Sequence, residues 1–396
     1  MNYRDRSQYV CLRLASLIRH GSSSKVTVYH FLAILLAAAL LASCASGPQE
    51  TAEEAEPLVF PPPPDEARLI YEMTLVSSTQ VTADEDSAWR AMITGEVDRG
   101  EGFAKPFDVS VCRGTVYVSD TVRRRVLVFD FPARSFYRIG EDEPGALYKP
   151  LGIATDAQCR LYVADASLQR VMVYAKSGSF VGAIGGPDWF HNLSHVTVNP
   201  DGSRLYIVDT GGVDTQDHRV RVFDGLSGQH LRDIGTRGTA EGEFNLPRDV
   251  ELSPDGKLYV VDGGNFRVQV FEEDGTFVRT FGSVGSRYGQ FSRPKGIALD
   301  PAGNIYVSDT AFGNFQIFNS QGQLLLFVGG RSNQPGPARY TLPAGIDVDE
   351  DGRVFFVDQF FRKIDVFRPA GLARQEGYLS GMATDDAAST HSDEAR

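Results

Sequence analysis

Two stretches of the sequence decide the fold: PRDVELSPDGKLYVVDGGNFRVQVF at residues 247–271 and PKGIALDPAGNIYVSDTAFGNFQIF at residues 294–318. Each begins with a short strand pattern after a proline, continues to an apolar strand that ends in aspartate, and closes on a strand that ends in phenylalanine. The unit occurs six times, and its marker aspartates lie 44 to 53 residues apart. They are Asp120, Asp165, Asp209, Asp262, Asp309 and Asp358. Most units close with a fourth strand, so the pattern predicts an all-β, six-bladed β-propeller.

The same two stretches carry a family resemblance. Their pattern of Pro-x-Gly-Ile-Ala-x-Asp, Tyr-Val-x-Asp and Arg-Val-x-Val-Phe resembles the NHL repeat, and the resemblance extends over about residues 103–368. Together with a proline-rich segment before the repeats, it resembles a group of bacterial NHL propeller lipoproteins. That resemblance implies a closed six-bladed ring of NHL repeats.

The two ends of the repeat region indicate how the ring closes. The sixth unit lacks a fourth strand after Phe367, whereas RLIYEMTLVS at Arg68–Ser77 is a strand pattern without a blade of its own. We expect this N-terminal strand to become the outer strand of blade six and so remove an exposed edge. The stretch Asp84–Thr94 has acidic residues in front and helix formers behind, which predicts a short N-terminal helix over one face.

The first 43 residues have the features of a bacterial lipoprotein signal peptide. Twelve uncharged apolar residues, Phe31–Ala42, lead to Leu-Ala-Ser-Cys, which resembles a lipobox with Cys44 as the acylated residue. An ordinary secretory signal followed by a chance cysteine is the alternative. The leader is long, so the true start stays open between Met1 and a downstream Val26 or Val28. The signal peptide and lipobox predict an exported, lipid-anchored protein. Because the residue after Cys44 is not aspartate, we expect the anchor to lie in the outer membrane of a Gram-negative bacterium.

The remaining boundaries follow from composition. Residues 44–66 are acidic and proline-rich and predict a stiff tether, residues 67–370 form the propeller, and residues 371–396 have the composition of a disordered tail. The formal net charge of −12 disfavours nucleic acid as a partner. We expect a monomeric propeller.

Positions near the start of the inner strands are the candidate channel-mouth binding residues. Asp108, His195 and Asp249 each occupy the position that opens an inner strand. Glu251 and Asp347 stand two residues further along, where the other blades have small residues. They could line the channel and bind water or a cation, or they could be buried structural carboxylates with hydrogen-bond partners.

Blade three gathers the candidate metal ligands, which are His191, His195, Asp214, Asp217 and His218. NHL-type amidating lyases, which this chain resembles, hold a catalytic metal with histidines at strand-opening positions. Only His195 matches that set. Similarity to gluconolactonase-type propellers would require a calcium set of carboxylate and Asn ligands, which Asp108 and Asp249 only begin. A divalent metal is the one cofactor left open, and solvated loop residues are the alternative.

Two structural expectations concern side-chain pairs. Cys112 and Cys159 fall in the turns between the first and second strands of consecutive blades, so a disulfide is possible if their Cα atoms approach within about 7 Å. The marker aspartates are expected to cap a turn and to pair with the basic residue before the third strand. Those basic residues are Arg125, Arg170, Arg219, Arg267 and Lys363.

Two functions fit these features. The first is a non-catalytic scaffold that binds a protein or ligand in a cell-envelope assembly. It would use the face with the long loop Gly211–Arg219 and the predicted helix near Trp89. The second is a metal-dependent lyase or a lactonase-like hydrolase whose site lies at the channel mouth.

Overall fold

A computed structural model of the protein describes residues 57–82 and 99–380. This part of the chain is almost entirely β-structure. Its helical elements are one short α-helix, α1 (Thr79–Thr82), and a single 3-10 turn (Gly263–Asn265). Among these residues no helix has the length and apolar character needed to cross a membrane. The expected helix at Asp84–Thr94, the leader and Cys44 lie outside the described residues.

Six sheets follow one another along the chain. Blades one to three comprise β3 (Pro106–Cys112), β4 (Thr115–Asp120), β5 (Arg125–Asp130), β6 (Ser135–Ile139), β7 (Pro150–Thr155), β8 (Leu161–Asp165), β9 (Arg170–Tyr174), β10 (Phe180–Gly185), β11 (Leu193–Val198), β12 (Arg204–Asp209), β13 (Arg219–Asp224) and β14 (His230–Ile234). Blades four and five comprise β15 (Pro247–Leu252), β16 (Leu258–Asp262), β17 (Arg267–Phe271), β18 (Phe277–Phe281), β19 (Pro294–Leu299), β20 (Ile305–Asp309), β21 (Asn314–Phe318) and β22 (Leu324–Val328). A parallel pair, β23 (Gly330–Arg331) and β24 (Arg339–Tyr340), precedes blade six, which contains β25 (Pro343–Val348), β26 (Val354–Asp358) and β27 (Lys363–Pro369).

Each blade is an antiparallel meander, and its first strand is the inner strand of the ring. Inner strands of neighbouring blades contact each other all the way round, from β3 through to β25 and back to β3. All six therefore begin on one face, the loop face, which also carries the loops between second and third strands. The tight turns between first and second strands lie on the opposite turn face. Gly256, at φ +84°, is a turn-face residue whose backbone conformation favours glycine.

The hydrophobic core is divided into six clusters, each between two adjacent blades. One of them packs Tyr117 and Val128 of blade one against Ile153 and Val163 of blade two. The other five repeat this arrangement around the ring, and the last joins blade six to blade one. Because second and third strands have neighbouring blades on both sides, nearly all of their residues are buried. A blade separated from its neighbours would expose both apolar faces.

The ring closes as the sequence predicted. Strand β2 (Leu69–Leu75) pairs antiparallel with β27, from Leu69 opposite Pro369 to Leu75 opposite Ile364. Its Glu72 carboxylate lies 2.9 Å from Nε of Arg353, whose side chain is fully buried. The N-terminal strand therefore joins the two ends of the ring through backbone pairing and a buried ion pair.

Both ends of the folded body extend beyond the predicted limits of residues 67 and 370. Strand β1 (Val59–Phe60) lies within the stretch expected to be tether and pairs with β2 as a fifth strand. The ring of Phe60 packs against that of Phe367 at 5.8 Å. At the other end, Leu379 is buried and the Glu376 carbonyl accepts a bond from Arg353. Apolar contacts of Phe60 and Leu379 account for the two extensions. The composition of a polar segment does not show which of its residues contact the core, so the predicted limits were too narrow.

A disulfide joins Cys112 and Cys159, the pair considered from the sequence. Their Cα atoms are 5.7 Å apart, and both side chains are buried. Because Cys112 ends β3 and Cys159 precedes β8, the bridge fastens blade one to blade two on the turn face.

The marker aspartates accept hydrogen bonds chiefly from backbone N–H groups. The Asp120 carboxylate accepts bonds from Ala104 and Lys105 on one oxygen and from Val122 and Arg123 on the other. Thus each marker ties the loop before an inner strand to the loop after the second strand.

Of the five expected pairings with the following base, the described part shows only that of Asp262 with Arg267. The expectation is wrong for the other four, which involve Arg125, Arg170, Arg219 and Lys363. Arg125 instead pairs with Glu101, Arg219 with Asp233, and Lys363 with Asp365. The long basic side chains reach acids on neighbouring strands and loops, while the backbone N–H groups occupy the marker carboxylates.

Candidate functional site

The channel encloses a cavity of about 760 Å³ that is lined by residues of all six inner strands. The structure brings together on its wall all five channel residues predicted from the sequence: Asp108, His195, Asp249, Glu251 and Asp347. The cavity extends towards the turn face, where residues such as Arg113 and Glu350 line it. Its wall is rich in carboxyl groups.

Asp108, His195 and Asp249 form a buried bridge across the channel. The imidazole Nδ1 of His195 lies 2.7 Å from Oδ1 of Asp249 and 3.7 Å from Oδ2 of Asp108. The carboxylates also link blades, because Asp108 accepts a bond from the Ile153 N–H and Asp249 one from the Ile297 N–H. The bridge thus consists of groups that already have partners.

Glycines make room for the bridge. A Cβ atom at Gly152 would lie 2.4 Å from Cγ of His195, and one at Gly345 would lie 2.0 Å from Oδ1 of Asp108. Both distances are too short for real atoms. The glycines at the equivalent inner-strand positions therefore allow the three large polar side chains to meet across the channel.

The charges of the bridge depend on one another. Burial lowers the pKa of His195, but the carboxylates of Asp249 and Asp108 outweigh it and raise that pKa above its usual value. Burial raises the pKa of Asp108 to about 6, although the neighbouring His195 opposes the shift. The arrangement favours a protonated imidazole held between two carboxylates.

The carboxyls below the bridge retain protons more readily than exposed ones do. Burial, reinforced by Asp347, raises the pKa of Glu251 well above its usual value, and Glu251 accepts a 3.3 Å bond from Thr197. Burial also raises the pKa of Asp347, despite bonds from the N–H groups of Val111 and Val348. These partners match the structural alternative for both residues.

The predicted metal ligands of blade three do not come together. His218 is buried between the Gly212 carbonyl and the Leu246 N–H, and Asp217 pairs with Arg219. His191 and Asp214 are exposed on the loop face, while His195 belongs to the channel bridge. Among residues 57–82 and 99–380, no three His, Cys, Asp or Glu side chains are grouped so that they could hold a metal ion. The described residues do not fit the metal site considered from the sequence.

Sequence reasoning missed a group of cations at the loop-face mouth of the channel: Lys105, Arg248, Arg293 and Lys295. Lys295 extends over the ring of Phe107, with Nζ 4.4 Å from the ring centroid. The sequence does contain a signal for this group. In blades one, four and five, a basic residue stands directly beside the proline that begins the inner strand.

The family comparison agrees with the geometry of the blades. A family model for the NHL repeat matches residues 244–271 and 291–318, in blades four and five. The chain carries NHL repeats. This NHL propeller is 30% identical over 120 residues to human NHL repeat-containing protein 3, which corresponds to 26% of this chain and 31% of the human protein. The chain thus spans about a third of the length of the curated relatives it matches.

Solved structures share the fold of this NHL propeller. A gluconolactonase from Xanthomonas campestris superimposes with a TM-score of 0.50 at 21% identity, covering 67% of this chain and 86% of that one. A virginiamycin B lyase from Staphylococcus aureus superimposes with a TM-score of 0.50 at 12% identity, covering 76% and 99%. At these identities the similarity shows a common architecture only.

Proposed function

We propose that this NHL propeller is a non-catalytic scaffold of the bacterial cell envelope that docks a protein with an acidic surface on its loop face. The channel bridge supports a binding role over a catalytic one. Its carboxylates hold His195 and backbone N–H groups of neighbouring blades, so they maintain the ring. The groups best placed for chemistry are therefore engaged in structure.

The observation that carries the proposal is the set of large apolar side chains exposed on the loop face. They come from the loops of five different blades and include Val122, Tyr148, Val213, Tyr288 and Phe360. All but Tyr148 are more than half exposed, and Val213 reaches 77%. Apolar side chains displayed on a rigid ring lose little conformational entropy when a partner covers them.

Charge supports an acidic partner. None of Lys105, Lys149, Arg248, Arg293 and Lys295 forms an ion pair with another described residue. Unpaired cations around exposed apolar groups complement a surface that carries carboxylates. The net charge of −12 continues to favour a protein over a nucleic acid.

The place in the envelope depends on the leader. The apolar stretch before Leu-Ala-Ser-Cys supports export and acylation at Cys44, with anchoring in the outer membrane. Radiolabelled palmitate should enter the protein and be lost in Cys44→Ala. Equal labelling of the variant would remove the anchor from the proposal.

The docking proposal is tested by reversing charge on one face at a time. Arg287→Glu with Arg293→Glu alters two exposed cations of the loop face, and Lys176→Glu with Arg134→Glu alters two on the turn face. We expect full-length protein in detergent-solubilised envelopes to retain one stoichiometric partner, and the loop-face variant to lose it while the turn-face control keeps it. Equal retention by both variants would contradict docking on the loop face.

One observation favours a second candidate, a lactonase-like hydrolase. His195 is oriented by a 2.7 Å contact with Asp249 on the wall of a cavity of about 760 Å³, so its protonated imidazole could serve as a general acid towards a substrate in that cavity. This candidate predicts hydrolysis of simple lactones that is lost in His195→Gln. Absence of turnover by the wild-type protein across a lactone panel would eliminate it.

A further inference from the structure

Lys295 lies near the centre of the channel mouth, on the opposite side of the bridge from the acidic cavity. It is the second residue of β19 in blade five, yet its ammonium group reaches the ring of Phe107 in blade one, at 4.4 Å. The same ring lies 6.0 Å from the imidazole of His195. Lys295 and Phe107 thus meet above the bridge, although their strands belong to different blades.

Further cations lie beside this position, two of them near Lys295 and a third, Arg293, near Arg248. Burial, opposed by Asp108 and reinforced by the neighbouring Arg248 and Lys105, lowers the pKa of Lys295 to about 8. Burial and the neighbouring Arg293 likewise lower the pKa of Arg248. Four cations are therefore held near one another at the channel mouth, and their mutual repulsion is unfavourable without an anion.

The acids of the channel do not neutralise these cations. Asp108 and Asp249 attract Lys295, but their oxygens already contact His195 and the N–H groups of Ile153 and Ile297. None of the four cations forms an ion pair with any other residue in the described ranges. The mouth therefore keeps an excess of positive charge in a protein whose net charge is negative.

We propose that Lys295, Arg248, Arg293 and Lys105 form a binding site for an oxyanion, the phosphate or carboxylate group of a small ligand. Lys295 supplies a central point charge. The two guanidinium groups supply planar pairs of donors that match the oxygens of either group. The adjacent face of Phe107 offers an apolar surface for the remainder of such a ligand. This site goes beyond the scaffold function, because a small anion can bind without a docked protein.

Isothermal titration calorimetry at low ionic strength and pH 7 tests the site with two probes, inorganic phosphate and succinate. We expect saturable binding of at least one probe to the wild-type protein. Binding of phosphate alone assigns a phosphorylated ligand, and binding of succinate alone assigns a carboxylate. The affinity should fall about tenfold or more in Lys295→Gln and in Arg248→Gln, because each variant removes a charge-assisted bond.

Two controls keep the result interpretable. Lys176→Gln removes an exposed cation of the turn face and should bind as the wild type does. Arg248 is exposed, so its variant provides the test even if Lys295→Gln folds poorly. Absence of saturable binding to the wild type, or equal affinity in Arg248→Gln and Lys176→Gln, would overturn the proposal. Neither result would bear on the docking of a protein.

Discussion

The two carboxyl oxygens of Asp349, near the turn end of the channel, have different surroundings. Oδ1 accepts bonds from the N–H groups of Asp351 and Arg353, whereas Oδ2 is buried and has no hydrogen-bond partner in the described structure. Burial raises the pKa of Asp349 to about 7, and the Asp351 carboxylate adds to that shift while Arg353 opposes it. The native fold thus holds a proton that the unfolded chain releases.

This proton makes stability depend on pH. Between pH 4 and 7 the unfolded chain ionises Asp349 before the native protein does, so the residue's contribution to stability is lost as the pH rises through this window. We expect urea unfolding at pH 4, 5.5 and 7 to show the free energy of unfolding falling more steeply in the wild type than in Asp349→Asn. Parallel pH profiles for the two proteins would contradict the protonated state.

At Gly152 the channel bridge occupies the space that any side chain would need. Gly152→Ala should destabilise the protein by about 1–3 kcal/mol through overpacking against His195. Gly182 is the matched control, since it lies in the same blade with nothing within 4 Å of an added Cβ. Thermal melts should show a lower Tm for Gly152→Ala only, and an equal Tm for both variants would argue against the tight bridge.

Among the elements, β2 has the largest effect on architecture because it converts an open sixth sheet into part of a closed ring. Its pairing with β27 covers an edge that would otherwise be exposed. It also carries Glu72 to the guanidinium of Arg353, the largest of the fully buried side chains described. Asp351 and the Glu376 carbonyl complete the surroundings of that guanidinium.

Removing the Glu72 charge should therefore be costly. We expect Glu72→Gln to lower the free energy of unfolding by about 3 kcal/mol, because it removes one of the two carboxylates that pair with a buried guanidinium. Glu66→Gln, at an exposed position just before β2, is the control and should change stability little. Urea denaturation measures both, and a Glu72→Gln variant as stable as Glu66→Gln would show that the ion pair contributes little to ring closure.

The elements also show what a single sequence can and cannot predict. The repeat of the marker aspartates and the alternation of apolar residues along the strands predicted the blades. The missing fourth strand after Phe367 predicted that β2 closes the ring. The cations at the mouth were missed for a physical reason. The inner strands are irregular at their start, with register shifts such as that between Pro294 and Ile297, so alternation does not indicate where Lys295 points. The predicted pairing of Arg125 with Asp120 was wrong because the long arginine side chain extends to the carboxylate of Glu101 instead.

On the scale of the whole molecule, the two faces differ in character. The turn face is fastened by the Cys112–Cys159 disulfide and opens into a cavity lined by carboxyls. The loop face displays apolar side chains such as Val213 and Phe360 and a cationic mouth. A closed ring holds these loops at fixed positions, which suits recognition of a partner by several loops at once.

The most direct test of loop-face docking is site-specific photo-crosslinking in the native envelope. A photoreactive amino acid is placed at Val213, Tyr288 or Phe360 on the loop face, or at Leu226 on the turn face; all four residues are more than half exposed. We predict one adduct of discrete mass that is common to the three loop-face positions and absent at Leu226. An adduct at Leu226 alone, or no adduct from any loop-face position, would contradict the account.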